Sequence, residues 1–226
     1  VTLSQLIAAA YLRATGEVST LAVGDDDYTK LTQIANFYTD TWATEPGVDW
    51  RSLYSTISVS GTVTATDTFA LPSTIRKISQ QDGDFVRIIH TVTTQYTDYQ
   101  LVAPERLKDY TSGNYCAQEG SNLVFNAAFT TSSPEYGGTI KVPCYTFPTK
   151  FPDSPLGTET VVVDNPNWLV VICAAEYSRT DITRQNLYPG LISEANDLML
   201  AMKSANDSQL TEAHKSQVSV PNGSTW

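Results

Sequence analysis

Asp25-Asp26-Asp27 is the densest acidic cluster in the chain, and carboxylates are hard ligands for calcium or magnesium. Consecutive residues converge on one ion only through a looped backbone, and no Glu follows where an EF-hand loop requires it. The cluster therefore reads as the capped start of a helix. Glu105-Arg106-Leu107-Lys108-Asp109 mixes signs over a short segment and reads as a solvated face rather than an acid/base pair. Glu119, Asp153 and Glu159 can be combined on paper into the paired carboxylates of a glycoside hydrolase, but any chain with this many acids permits such a choice. His90 and His214 are the only histidines, so a nucleophile, base and orienter constellation has little to draw on. His90 falls in the alternating run Val86 to Val92, where a sheet-facing, hydrogen-bonded ring is expected, and His214 is expected in solvent. Cys116, Cys144 and Cys173 are odd in number and widely spaced, which suits neither a disulfide framework nor a zinc knuckle, so they read as buried, reduced thiols. Gly-rich phosphate loops, nucleophile elbows and paired CxxC motifs are lacking. These residues indicate a chain that is not an enzyme and that carries no metal or cofactor. Tyr96, Tyr99, Tyr110, Tyr115, Tyr136 and Tyr145 remain: they suit a carbohydrate or partner surface, with cross-strand packing as the plainer account.

Length and composition narrow the classes further. At 226 residues with 41% hydrophobic and 17% charged residues, the chain can bury a real core and resembles neither a disordered acidic tail nor a coiled coil. Its longest apolar runs fall well short of the roughly 20 residues of a membrane span. Fourteen Lys and Arg against twenty-four Asp and Glu leave a formal charge of -10, so phosphate capture by a wrapping DNA binder meets repulsion.

The elements that must position these residues follow from hydrophobic period. Instead of the basic and apolar regions of a secretory signal, Thr2 opens a capping box with Gln5. Leu3, Leu6, Ile7, Ala10, Tyr11 and Ala14 then recur at helical spacing up to Gly16, a left-handed stop. A second helix starts in the Asp25 cluster and carries Leu31, Ile34, Ala35, Tyr38 and Trp42 on one face until Glu45-Pro46-Gly47. From Leu53 to about Thr146 the period becomes two, with Ile57/Val59, Phe69/Leu71, Val86/Ile88, Leu123/Phe125 and Ile140/Val142 separated by turn residues. Asp82-Gly83 is the clearest hairpin candidate. Pro148, Pro152 and Pro155 mark an extended connection. Helical period returns behind the Asn165-Pro166 start, from Trp168 to Arg179. A last helix runs from about Tyr188 with Leu191, Ile192, Ala195, Leu198, Met199 and Met202, and gives way after Ser204 to a polar, flexible tail. The expected fold is α+β: residues 1–50 and 160–204 form a helical layer or bundle, 51–159 a central antiparallel β domain, and 205–226 a C-terminal tail.

Several stretches in this order carry a resemblance. They are Leu3-Ser4-Gln5-Leu6-Ile7-Ala8-Ala9-Ala10, Trp50-Arg51-Ser52-Leu53, and Phe69-Ala70-Leu71-Pro72-Ser73-Thr74-Ile75-Arg76-Lys77-Ile78. Farther on come Asn122-Leu123-Val124-Phe125, Gly138-Thr139-Ile140-Lys141-Val142-Pro143-Cys144-Tyr145, Phe147-Pro148 and Val161-Val162-Val163-Asp164-Asn165-Pro166-Asn167-Trp168-Leu169. Ala174-Ala175-Glu176-Tyr177-Ser178-Arg179-Thr180-Asp181 closes the set. Over residues 1–205 the chain resembles the head-to-tail adaptor (connector or neck) proteins of tailed bacteriophages, departing from them in a long β block and in Cys144 on a strand.

The resemblance implies a virion structural protein at the head-tail junction, synthesised in the host cytoplasm. It implies a ring of identical subunits, commonly a dodecamer, that docks on the portal protein and continues the DNA channel toward a downstream tail or nozzle protein. Genomic DNA would pass without sequence-specific binding, and no membrane is involved. On this reading the helical part faces the portal, and Gln217, Val218, Val220 and Trp226 of the tail order against it. Tyr96, Tyr99, Tyr110 and Tyr115 of the β part then face the tail. The alternative from another class is a carbohydrate-binding or adhesin module that uses the same tyrosines.

Overall fold

The structure is a computed structural model that describes residues 1–18, 21–59, 61–81, 83–92 and 95–217, the last nine by backbone alone. The chain divides into two units, one of Leu53–Phe147 and one made from the segments on either side of it. The fold is α+β, with helices before and after a central sheet. Among the described residues no helix is long and apolar enough to cross a membrane.

The helical unit is organised by α3 (Pro166–Arg179), which buries residues on every side from Trp168 to Ala175. A helix apolar all round must be enclosed. Helix α1 (Leu3–Thr15), α2 (Asp26–Ala43) and α4 (Tyr188–Gln217) all pack on it. The Thr2–Gln5 capping box is present, with Gln5 N–H donating to Thr2 Oγ1 at 3.3 Å and Thr2 N–H to Gln5 Oε1 at 3.0 Å. Asp25 is the N-cap of α2, but its carboxylate accepts from Ala22 N–H at 2.8 Å and caps no α2 amide. The preceding turn has taken the acceptor that the helix start was expected to use.

Two boundaries differ from the sequence reading. The Pro-rich connection from Pro148 belongs with the helices. Asn36 of α2 holds it from both sides, donating to Phe151 O at 2.9 Å and accepting from Phe151 N–H at 2.8 Å. Leu3 N–H and Ser4 N–H donate to Glu159 O and Gly157 O. Gly157 has φ +81, and a Cβ there would lie 2.2 Å from Ser4 Oγ, so only glycine allows this approach. Second, α4 continues to Gln217 instead of stopping at Ser204, so the tail expected over 205–226 begins as helix. Apolar period fades there, but Glu212, Ala213 and Lys215 are good helix formers and no Gly or Pro intervenes before Pro221. His214 lies in this helix with its side chain outside the described residues, as do Val218, Val220 and Trp226 entirely.

The continuation positions Asn206, which is nearly fully buried. It accepts from Arg51 N–H at 3.0 Å and donates to Asp49 O at 3.0 Å. Trp50 between them stacks on Trp42 with ring centroids 5.2 Å apart and donates from Nε1 to Trp42 O at 2.6 Å.

The second unit is one eight-stranded sheet, ordered β1 (Tyr54–Ser58), β8 (Thr139–Thr146), β4 (Val86–Ile89), β5 (Tyr96–Leu101), β6 (Tyr115–Glu119), β7 (Asn122–Phe125), β2 (Thr68–Ala70). Strand β3 (Ile75–Ile78) also pairs with β8. The sheet is mixed rather than purely antiparallel, because β5 and β6 run parallel, Gln100 opposite Tyr115. The segment between them carries a 3-10 helix at Pro104–Asp109 and is long enough to bring the chain back for a parallel pairing. The hairpin expected at Asp82-Gly83 is not formed: β3 and β4 follow each other along one edge of β8, at Cys144–Thr146 and Thr139–Lys141. Asp82 itself lies outside the described residues. The tight hairpin is β6–β7, with Glu119 opposite Asn122 and Gly120 at φ +59, the glycine-first two-residue turn.

The core of this unit gathers Phe69, Tyr99, Phe125 and Phe129 edge to face, with Ile88, Ile140 and Val142 behind them. Replacing Asn206 by Ala should lower stability by about 1–2 kcal/mol, because it removes two part-buried hydrogen bonds from a buried side chain, whereas Asn196→Ala on the exposed face of α4 should change it by less than about 0.5 kcal/mol. Urea unfolding of the two variants measures the difference.

Candidate interaction surfaces

Strand alternation sorts the side chains of the sheet. Ile57 packs with the core opposite Val142, so Tyr54, Thr56 and Ser58 stand on the outer face. Ser58, Lys141, Arg87 and Asp98 lie opposite one another on β1, β8, β4 and β5, forming one row of four polar side chains. Arg87 forks onto Asp98 at 2.7 and 2.9 Å, and its guanidinium lies 3.9 Å from the Tyr96 ring centre. The Asp98 partner raises the Arg87 pKa further above its ordinary value. Lys141 turns the other way and donates to Ser58 Oγ at 2.6 Å. Like charges directly opposite repel, which accounts for the two cations parting. Beside the row lies a cleft of about 410 Å³ edged by Tyr54, Phe85, Arg87, Ile89 and Pro143. Tyr54 donates to Asp84 Oδ1 at 2.8 Å, and burial with that carboxylate raises its pKa.

The inner face holds a polar relay. Glu135, at 9% exposure, accepts from Thr97 Oγ1 at 2.9 Å and from Tyr99 OH at 3.4 Å. Because Thr97 gives its only hydroxyl proton to the carboxylate, the His90 Nε2 found 2.9 Å away is the donor to Thr97. The Tyr99 pKa is raised by burial and by the Glu135 charge. Gly138 lets the Glu135 loop close on the sheet: a Cβ there would meet Ile89 O at 2.6 Å and Glu135 O at 2.8 Å.

The four tyrosines expected on one tail-side surface are thus separated. Tyr96 is 55% exposed on the outer face under Arg87, while Tyr99 is 6% exposed inside the core. Three residues apart on one strand, they must point to opposite faces. Tyr110 and Tyr115 stack on each other with centroids 4.1 Å apart, and Tyr145 is buried. Glu105, Arg106, Lys108 and Asp109 are exposed around a buried Leu107, the solvated face expected of them. Glu119 ends a strand of the sheet unit, whereas Asp153 and Glu159 lie on the connection in the helical unit, where Glu159 accepts from Leu156 N–H at 2.6 Å. Backbone donors led by Leu156 hold the Glu159 carboxyl below the usual range. Among the described residues no three His, Cys, Asp or Glu side chains converge as a metal site requires.

The helical unit has its own open cleft, about 350 Å³, between α2 and the end of α3. Tyr38 donates to Glu176 Oε1 at 2.8 Å, and Glu176 pairs with Arg179 at 2.7 Å. Lys30 donates to Thr180 Oγ1 at 2.6 Å. Phe37 stands at the rim at 64% exposure, set edge-on to Tyr38. Nothing in the helical stripe reading singled out Phe37, because a lone aromatic on the polar face of an amphipathic helix has no periodic signature. The Lys141–Ser58 row was likewise invisible, since it depends on which strands pair.

No protein-family model matches the chain, and no curated protein matches it.

All three cysteines are free and buried. Burial raises Cys116 to about 12 and Cys144 to about 11, and raises Cys173 as well. At pH 8 none should react with a disulfide reagent faster than the chain opens. Stability should fall as pH rises from the ordinary thiol value of about 9 toward 11 and 12, because the unfolded chain loses protons that the native one keeps. Rapid labelling of the native protein at pH 8 would contradict this burial.

Proposed function

We propose that this chain is a structural adaptor of a tailed-phage virion, a ring subunit that joins the capsid portal to the tail and continues the DNA channel. The observation that carries the reading is the arrangement of the helical unit. Segments before and after the sheet close around α3, and the sheet is looped out between them, in the element order that the adaptor resemblance carries. The helical unit would face the portal and the sheet unit the next tail component. Ring subunits need surface that stays open in the single chain. Phe37, Leu187 and Leu200 on the helical unit are large apolar side chains left exposed. The excess of acids suits a lumen through which DNA slides without being held.

Purified chain mixed with a matching portal should give coaxial rings by electron microscopy, and persistent monomers that bind sugars would favour the adhesin reading instead. Phe37→Glu should reduce ring formation at least tenfold with a change in stability below about 0.5 kcal/mol, measured by sedimentation and thermal unfolding. The tail is tested by cutting after Gln217 rather than after Ser204, because the shorter cut also removes Asn206 from its clamp on Asp49 and Arg51. Loss of Val218, Val220 and Trp226 should weaken portal binding while leaving the thermal midpoint unchanged.

A further inference from the structure

Among the described residues strand β1 forms one margin of the sheet and pairs only with β8. Val59 N–H donates to Ile140 O at 3.0 Å, and β1 pairs with β8 in unbroken antiparallel register. Alternation along the strand therefore directs the backbone of Ile57 and Ser55 toward β8 as well, and that of Tyr54, Thr56 and Ser58 outward. Tyr54, Thr56 and Ser58 are exposed. Exposed edges in stable proteins are ordinarily shortened or guarded with Lys, Pro or a bulge on the strand itself. The opposite margin, β2, is three residues long, whereas β1 is five residues with no charge, no Pro and no register shift.

Two charges stand by this edge: Asp84 accepts the Tyr54 hydroxyl at the start of the strand, and Lys141 lies at its end beside Ser58. Lys141 is turned from Arg87, which Asp98 already pairs, and its ammonium rests on Ser58 Oγ at 2.6 Å. Its polar partner among the described residues is thus a neutral hydroxyl on the outermost strand. A further strand laid along β1 would place the residue opposite Ser58 on the same outer face, one strand spacing of about 4.8 Å away. A carboxylate at that position meets the Lys141 ammonium, and a lysine there is repelled by it.

We propose that the β1 edge is a docking site for an extended, acidic segment of a partner protein, which adds a strand to the sheet and places an Asp or Glu opposite Ser58. Main-chain bonds from Tyr54, Thr56 and Ser58 supply the affinity, and Lys141 supplies the register and the choice of charge. The site does not depend on ring formation and holds for the single chain.

The test uses the full chain, labelled for amide NMR, with two short acetylated Thr/Val peptides that differ only in a central Asp or a central Lys. The Asp peptide should shift the amides of Tyr54, Thr56 and Ser58, slow their hydrogen exchange, and bind about two- to fivefold tighter than the Lys peptide, the worth of a partly exposed ion pair. Lys141→Glu should reverse that preference. Thr56→Pro, which removes an outward N–H at a site where an edge strand tolerates proline, should abolish binding of both. The proposal is overturned if neither peptide binds saturably, if the shifts fall on another face, or if the preference survives Lys141→Glu. It is also overturned if an oligonucleotide alone shifts these amides, or if the edge instead joins two copies of the chain in a dimer that the peptides do not compete.

Discussion

The burial of α3 over its whole circumference is the constraint on which the rest of this protein depends. A helix with Trp168, Val170, Ile172 and Ala174 buried alongside Leu169, Val171, Cys173 and Ala175 has no solvent side. One neighbour cannot cover it, so α1, α2 and α4 must all reach it. Two of these precede the sheet in sequence and one follows it. The sheet is therefore an insertion between parts of a single helical unit, and its two connecting segments are fastened there. Asn206 grips Asp49 and Arg51 before the sheet, and Asn36 grips Phe151 after it. Both clamps use an amide side chain that donates and accepts at once, as a neighbouring strand would.

Within the sheet unit β8 plays the corresponding part. It is the longest strand, and β1, β3 and β4 all pair with it. Its buried Ile140, Val142 and Cys144 put the core on one side, which forces Lys141 outward. Glu135 just before it holds the inner polar groups Thr97 and Tyr99. A buried carboxylate satisfied by hydroxyl donors is stable only if its loop is fixed, and Gly138 permits that loop to close against Ile89 and Glu135 backbone. Inner relay and outer charge row therefore depend on the same strand.

The parts of the fold that were legible in the sequence are those set by local chemistry. The Thr2–Gln5 box, the Gly16 stop and the Asn165-Pro166 start each need only neighbours within a turn, and each is where its residues indicate. Strands with clean alternation, such as Leu123/Phe125 and Ile140/Val142, were also readable. Pairing was not. Asp82-Gly83 has turn chemistry, but the strands beside it prefer the long apolar partner β8 to each other, and a turn propensity of this kind is overridden by burial. The parallel β5–β6 pair depends on a crossover whose path local sequence does not specify. Tyr96 and Tyr99 looked alike as residue types, and only the parity of the strand separated an exposed ring from a core one. Asn206 was missed because it lies past the point where apolar period ends, and its partners Asp49 and Arg51 are distant in sequence.

The distribution of positive charge bears on what such a chain can hold. Arg13, Arg87, Lys150, Arg179, Arg184 and Lys203 each lie beside a carboxylate: Glu194, Asp98, Asp40, Glu176, Asp181 and Glu45. Surface pairs of this kind add little stability singly, but they neutralise the cation locally and leave the excess of acids as the field that a distant polyanion meets. These six cations are therefore already engaged before any polyanion approaches. Lys141 differs from them because a like charge on the next strand has displaced it toward a neutral hydroxyl at the sheet margin. The proposed acidic segment would approach it along the strand edge, where backbone pairing offsets the repulsion from the rest of the surface. On the docking proposal, the excess of acids that would repel a long polyanion would still leave the β1 edge open to a short acidic segment, and there the edge would select for extended backbone as well as charge.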